Sequence, residues 1–307
     1  MSLDPAYLDY PRRGRGMDHA LYPWSNMHAR APVVWPGGKA VAVVPVVLLE
    51  WFPLAPVDKP FRAPGHMATP YPDYRHYTAR DYGLRVGAWR LLEVFAAHGI
   101  RASFAINAAV AERCPELVRA VIDGGHELVA HSTDMNGTIA NGLAEEDERA
   151  LIRTALDRLE AATGARPRGW LSIAQSQSWN TLRLLAEAGL DWCGDWPNDE
   201  LPYRMSTEAG PLINLPLNHE LSDRAILVTQ GHGVESYAEQ VRDAYAWLER
   251  EAESGGGRML PLTLTPYIMG LPYRMDAFEG LLDWLGARPG TWWARGSDLV
   301  DAWERQA

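Results

Sequence analysis

Polar residues that follow short apolar runs are the natural place to look for chemistry in this chain. Read in order, they are Glu50, Asn107, His131, Ser172, Asp195, Gln230 with His232, and Thr265 with Tyr267. A carboxylate and a neutral imidazole brought together can position a water molecule or a metal ion, and either can move a proton near neutral pH. Glu50 and His131 are the pair favoured for that work, with Ser132 and Asp134 placed to orient the imidazole ring. Asp195 opens the acidic stretch through Glu200 and is a candidate base. Arg168 could orient a catalytic carboxylate or pair with a structural one. His219 with Glu220, and His232 between two glycines, are further imidazoles that also read as ordinary loop residues.

For these residues to meet, the runs before them must be parallel strands, because a parallel barrel collects its site at the C-terminal strand ends. The pattern supports this. Ala40–Leu49, Arg101–Asn107, His126–His131, Arg168–Leu171, Asp191–Gly194, Ile226–Gln230, Met259–Thr265 and Thr291–Ala294 read as strands. Between them lie helical patterns over Tyr82–His98, Pro115–Asp123, Glu145–Thr163, Ser178–Ala188, Ser236–Glu251, Asp276–Leu285 and Ser297–Glu304. Alternation of this kind predicts an α/β fold closed as a barrel. The Pro-, Tyr- and His-rich stretch Phe52–Thr78 is too long for an ordinary connection, and reads either as a lid over the site or as a surface crossing.

The bulk properties narrow the function. In 307 residues, 47% are hydrophobic and 22% charged, as in an ordinary globular protein, and one barrel domain can use the whole length. The formal net charge of -10 argues against nucleic acid and against anionic membrane surfaces, since both need concentrated positive charge. No apolar run reaches the roughly 20 residues of a spanning helix, and Met1–Gly16 lacks a signal-peptide pattern, so a cytoplasmic location is expected. Cys114 and Cys193 alone offer neither a disulfide framework nor a multi-cysteine metal site. Thirteen tryptophans exceed what the core needs, and Trp faces suit sugars or planar amides. The segment Trp284–Trp303 reads as core in preference to a subunit interface, which leaves a homo-oligomer open.

Four ordered motifs carry a resemblance: Leu48–Phe52 (LLEWF), Gly125–Ser132 (GHELVAHS), Thr163–Trp170 (TGARPRGW) and Thr265–Arg274 (TPYIMGLPYR). Over about residues 33–304 the chain resembles the polysaccharide deacetylase superfamily (NodB-homology, carbohydrate esterase 4-like), and within it the cytoplasmic proteins that include metal-independent allantoinases. The resemblance implies a distorted (β/α)7 TIM-like barrel, as a single domain over 1–307 with an extended N-terminal segment 1–35. It also implies hydrolysis of a carbon–nitrogen bond in a small amide, ureide or N-acetyl compound. Glu50, His131, Asp195 and Arg168 would be catalytic, and Trp170, Ser172, Trp196, Tyr267, Arg274 and His232 would bind substrate.

Secreted members of the superfamily use an Asp-Asp pair where this chain has Leu49-Glu50. They use His-Ser/Thr-x-x-His where it has His131-Ser132-Thr133-Asp134-Met135, and His-Pro where it has Thr265-Pro266. Only Glu50 and His131 map to ligand positions, with Asp134 as a substitute, whereas zinc normally takes three protein ligands. The preferred reading therefore needs no cofactor; one divalent metal such as zinc, in a metal-dependent carbohydrate deacetylase, is the alternative. A degenerate barrel that binds a ligand without catalysis is a second alternative. The expected partner is a small-molecule substrate, not nucleic acid or membrane.

Overall fold

The structure, a computed structural model, describes residues 19–55 and 70–307. The expectations for Met1–Gly16 and for most of the Phe52–Thr78 stretch fall outside these residues; positions 74–78 belong to a helix.

The strands are β1 (Val41–Leu49), β2 (Ser103–Ile106), β3 (Glu127–Ala130), β4 (Gly169–Trp170), β5 (Trp192–Cys193), β6 (Tyr203–Met205), β7 (Leu212–Asn214), β8 (Arg258–Leu264) and β9 (Thr291–Trp293). The helices are α1 (Tyr74–Tyr82), α2 (Ala88–Ala97), α3 (Ala108–Arg113), α4 (Pro115–Asp123), α5 (Glu145–Thr163), α6 (Thr181–Glu187), α7 (Val234–Gly255), α8 (Pro266–Met269), α9 (Pro272–Gly286) and α10 (Gly296–Glu304). A π-helical turn, Gly83–Gly87, joins α1 to α2 without a break.

The strands form one sheet in the order β6-β7-β5-β4-β3-β2-β1-β8, parallel except for β6 on β7. Strand β1 pairs with three others. Strand β8 runs along one edge of it, while the other edge meets β9 over Val41–Val43 and β2 over Val46–Leu49. Successive β1 side chains enter different cores. Val41, Val43, Val47 and Leu49 pack towards Leu91 and Phe95 of α2, Tyr237 of α7 and Phe278 of α9. Ala42, Val44 and Val46 pack with Trp35, Trp192 and the α10 residues Leu299 and Val300. A strand buried on both faces must be apolar throughout, which is why AVAVVPVVLL shows no alternation. The result is a curled, mostly parallel sheet with helices packed outside it, the distorted (β/α) barrel expected.

Seven of the eight expected strands form, with ends that differ by at most two residues. The exception is Ile226–Gln230, which lies in and after a π-helical turn, Arg224–Thr229. A short apolar run, Ala225–Val228, suits a strand or a buried helical turn equally. Here the Ser222 hydroxyl accepts the Ala225 N–H, and the amides of Gln230 and His232 reach back to the carbonyls of Ala225 and Ile226. Strands β6 and β7, three residues each, are too short for pattern reading to find. No helix among the described residues is long and apolar enough to cross a membrane.

Candidate active site

Three strand ends are tied together by one amide. Asn107, fully buried after β2, accepts the Trp51 N–H on Oδ1 at 2.7 Å and donates from Nδ2 to the His131 carbonyl. This fixes the chain just past β1 against the chain just past β3, and so sets Glu50 and His131 on a common rim. A buried Asn that spends both ends of its amide this way is costly to replace, because each partner would be left unsatisfied.

His131 is buried, and its Nδ1 lies 2.6 Å from the Leu171 carbonyl. A carbonyl only accepts, so Nδ1 carries the proton. Burial pushes the imidazole below its ordinary pKa, against the opposing pull of Glu50 and the Leu171 bond, so the ring is neutral and Nε2 presents a lone pair. That Nε2 is buried and has no hydrogen-bond partner. The next residue, Ser132, holds φ 63°, a conformation that costs a non-glycine residue about 1–3 kcal/mol. Its hydroxyl donates to the Gly137 carbonyl, and Asp134 accepts the Asn136 N–H. The ring orientation assigned to Ser132 and Asp134 thus comes from the Leu171 carbonyl instead.

Glu50 is buried and receives three hydrogen bonds: Arg224 Nη2 reaches both carboxylate oxygens at 3.0 Å, and the Tyr267 hydroxyl donates at 2.6 Å. Tyr267 sits at the start of α8, whose preceding residue, Thr265, is anchored by Asp223 through its N–H at 2.6 Å and its hydroxyl at 3.1 Å. Burial pushes Asp223 up to about 7, with these bonds and Arg224 pulling the other way. Burial works against the charge of Arg224, but Glu50, Tyr267 and Asp223 together outweigh it and the guanidinium stays protonated. A second arginine, Arg80 of α1, is 1% exposed, with its guanidinium carbon 5.0 Å from the Phe52 ring centroid and 5.6 Å from that of Tyr267.

On the neighbouring strand ends, Asp195 accepts the Ser172 N–H and hydroxyl, both at 2.7 Å, and Gln177 Nε2 at 2.6 Å. Burial lifts its carboxyl to about 6. Trp170 is buried in the core and donates its indole N–H to Ser172, while Trp196 donates to Gln177. Ser172 follows Leu171, so Asp195 holds the strand end whose carbonyl orients His131.

Three expected site residues lie elsewhere. Arg168 precedes β4, at the N-terminal rim, and its guanidinium is shared by Asp191 and Asp301; with no strand end above it, it cannot reach the Glu50 pair. His232 is exposed beyond the π-turn, because the segment before it is not a strand. Arg274 donates to the Ile268 carbonyl at 2.6 Å and braces α8 against α9. His219 and Glu220 are exposed as well.

Sequence patterns alone do not reveal Asp223, Arg224, Arg80 and Gln177. Taking 226–230 as a strand puts Asp223 and Arg224 at its N-terminal end, away from any site. Their only signal is an Asp-Arg pair immediately before an apolar run.

The donor set does not fit a tightly held metal. Glu50 is already engaged by Arg224 and Tyr267, Asp134 by its own turn, and among the described residues no three His, Cys, Asp or Glu side chains converge to hold an ion.

Residues 70–192 match the family model described as Polysaccharide deacetylase. A putative polysaccharide deacetylase of Schizosaccharomyces pombe is 26% identical over 242 residues, covering 73% of this chain and 74% of that one. A probable polysaccharide deacetylase from Pseudomonas aeruginosa PAO1 superposes with a TM-score of 0.80 at 26% identity, over 97% of this chain and 99% of that one. The structure of Puue allantoinase gives 0.81 at 25% identity, over 97% and 98%. The chain is thus similar to polysaccharide deacetylases within residues 70–192 of its sequence, and in fold, over 97% of its length, to a probable polysaccharide deacetylase and an allantoinase.

Proposed function

We propose that this chain hydrolyses a carbon–nitrogen bond in a small amide, ureide or N-acetylated compound without a bound metal, using His131 as the base. The observation that carries the reading is the His131 ring: Nδ1 committed to the Leu171 carbonyl, Nε2 buried, unprotonated and without a partner. Similarity to both a probable polysaccharide deacetylase and an allantoinase supports amide-type chemistry of this kind.

In this reading a water molecule gives its proton to His131 Nε2 as its oxygen attacks the carbonyl carbon. The imidazolium then returns the proton to the departing nitrogen, so that water adds across the carbon–nitrogen bond and leaves an acid and an amine. Glu50 stabilises the imidazolium, since its charge already favours the protonated ring. Preorganised donors near Glu50 supply the electrostatic help that a metal would otherwise give.

The test is a panel of amides, ureides and N-acetyl sugars with the purified chain, with elemental analysis and chelation alongside. Turnover that survives chelation and collapses in Glu50→Gln is expected. Stoichiometric zinc with chelator-sensitive turnover would overturn the metal-free mechanism.

A further inference from the structure

Helix α1 inverts the usual pattern of a surface helix: of its nine residues, YRHYTARDY, the one that is buried is an arginine. A surface helix normally turns an apolar stripe inward, and taking a guanidinium out of water costs several kcal/mol unless a partner compensates. Arg80 has little compensation. Its Nη1 donates to the His76 carbonyl of its own helix at 3.0 Å, while Nε and Nη2 have no hydrogen-bond partner. Burial and the charge of Arg224 work against its charge, with Tyr267, Glu50 and Asp73 opposing. The flanking rings of Phe52 and Tyr267 hold the guanidinium beside the Glu50 centre.

We infer that Arg80 is the anion-reading residue of this site, and that the compound hydrolysed there carries a carboxylate. The inference rests on the hydrolase reading above for the word hydrolysed, and on the Arg80 geometry alone for the carboxylate. Nε and Nη2 form one edge of the planar guanidinium, two parallel N–H groups spaced to meet two oxygens of a single carboxylate. Glu50 cannot fill that role, because its oxygens take Arg224 and Tyr267. A neutral carbonyl would satisfy one N–H and leave the other buried and unpaired, which a site that binds tightly should discriminate against. The substrate class is therefore an N-acyl or N-carbamoyl amino acid or a similar small amide acid, with the carboxylate on Arg80 and the scissile carbonyl towards His131.

Matched pairs decide the matter: N-carbamoylglycine and N-acetylglycine against their neutral primary amides, on the full chain and on Arg80→Gln and Arg80→Lys. The wild-type chain should prefer each acid over its amide by about tenfold to a hundredfold in kcat/KM, the size of one charge-assisted pair. Arg80→Gln should bring that ratio close to one, and Arg80→Lys, which keeps the charge and loses the fork, should fall between. Calorimetric binding of the same four compounds is read in parallel, so that catalysis and recognition are separable. Acid binding that Arg80→Gln abolishes, without turnover of any compound, upholds the carboxylate site and sinks the hydrolase reading. An acid-to-amide ratio unchanged by Arg80→Gln, or no acid bound by the wild-type chain at millimolar concentration, overturns the inference. Should Arg80→Gln fail to fold, Arg80→Lys decides in its place: a lowered ratio upholds the carboxylate site and an unchanged one overturns it.

Discussion

The proposed chemistry at the residue scale turns on which nitrogen of His131 carries the proton, and that is set by an oxygen that cannot donate. The Leu171 carbonyl takes Nδ1–H, burial keeps the ring neutral, and the Nε2 lone pair follows. In the proposed mechanism Asp195 acts at one remove, as a positioning residue: it grips Ser172 by backbone and hydroxyl, and Ser172 follows the residue whose carbonyl aims the ring. Two outcomes are expected. His131→Gln keeps a polar group of similar reach but loses the base, and should lower kcat by about 10²- to 10⁴-fold with little change in melting temperature. Because burial lowers the imidazole pKa, the basic form persists to lower pH than usual. The acid-side fall of kcat/KM should then lie below the ordinary histidine value of 6.5, and a wild-type profile that falls with a midpoint above 6.5 would rule His131 out as the base.

At the scale of elements, the Glu50 side of the site depends on how closely α8 approaches the π-turn between α1 and α2. A Cβ on Gly87 would lie 2.1 Å from the Pro266 carbonyl oxygen, so no residue larger than glycine fits there without moving α8. Since α8 begins one residue before Tyr267, that shift would pull the Tyr267 hydroxyl off Glu50. Gly87→Ala should cost about 1–3 kcal/mol of stability and also lower kcat/KM, readable from denaturant melts and steady-state rates on one preparation. Unchanged stability would mean that α8 yields easily and is no rigid mount. This contact also shows where sequence patterns stop. Strand β1 is legible because burial on both faces leaves an unbroken apolar run, and Glu50 follows directly from it, as His131 follows from the shorter run of β3. The π-turn at Arg224–Thr229 is not legible, since its four apolar residues fit two conformations. With it go Asp223 and Arg224, which a strand would place on the wrong rim. Arg168 misleads for a related reason: it precedes its strand instead of following it, so it pairs with Asp191 and Asp301 at the opposite end.

For the whole molecule, the buried titratable groups pull stability in opposite directions across the same pH range. Asp195 and Asp223 are raised from 3.8 to about 6 and about 7, so what they contribute is fully present below pH 3.8 and is lost as pH rises through those values. His126 runs the other way. Its Nδ1 accepts the Ala102 N–H, its ring packs against Phe104 and Phe95, and burial lowers it from 6.5 to about 4. Its contribution is present above pH 6.5 and is lost as pH falls through about 4, because a protonated ring can no longer accept from Ala102. A single melting curve against pH would mix these opposing slopes, but a difference curve between two chains sharing both aspartates cancels them. His126→Asn offers such a pair, since the Asn Oδ1 can take the Ala102 N–H without titrating. The variant should be less stable than the wild-type chain at about pH 7.5, having lost the ring contacts, and the gap should narrow by up to about 3 kcal/mol as pH falls from 6.5 towards 4. A gap that stays constant over that window would mean that His126 binds its proton equally well folded and unfolded, and that the acid limit of this fold lies with other groups.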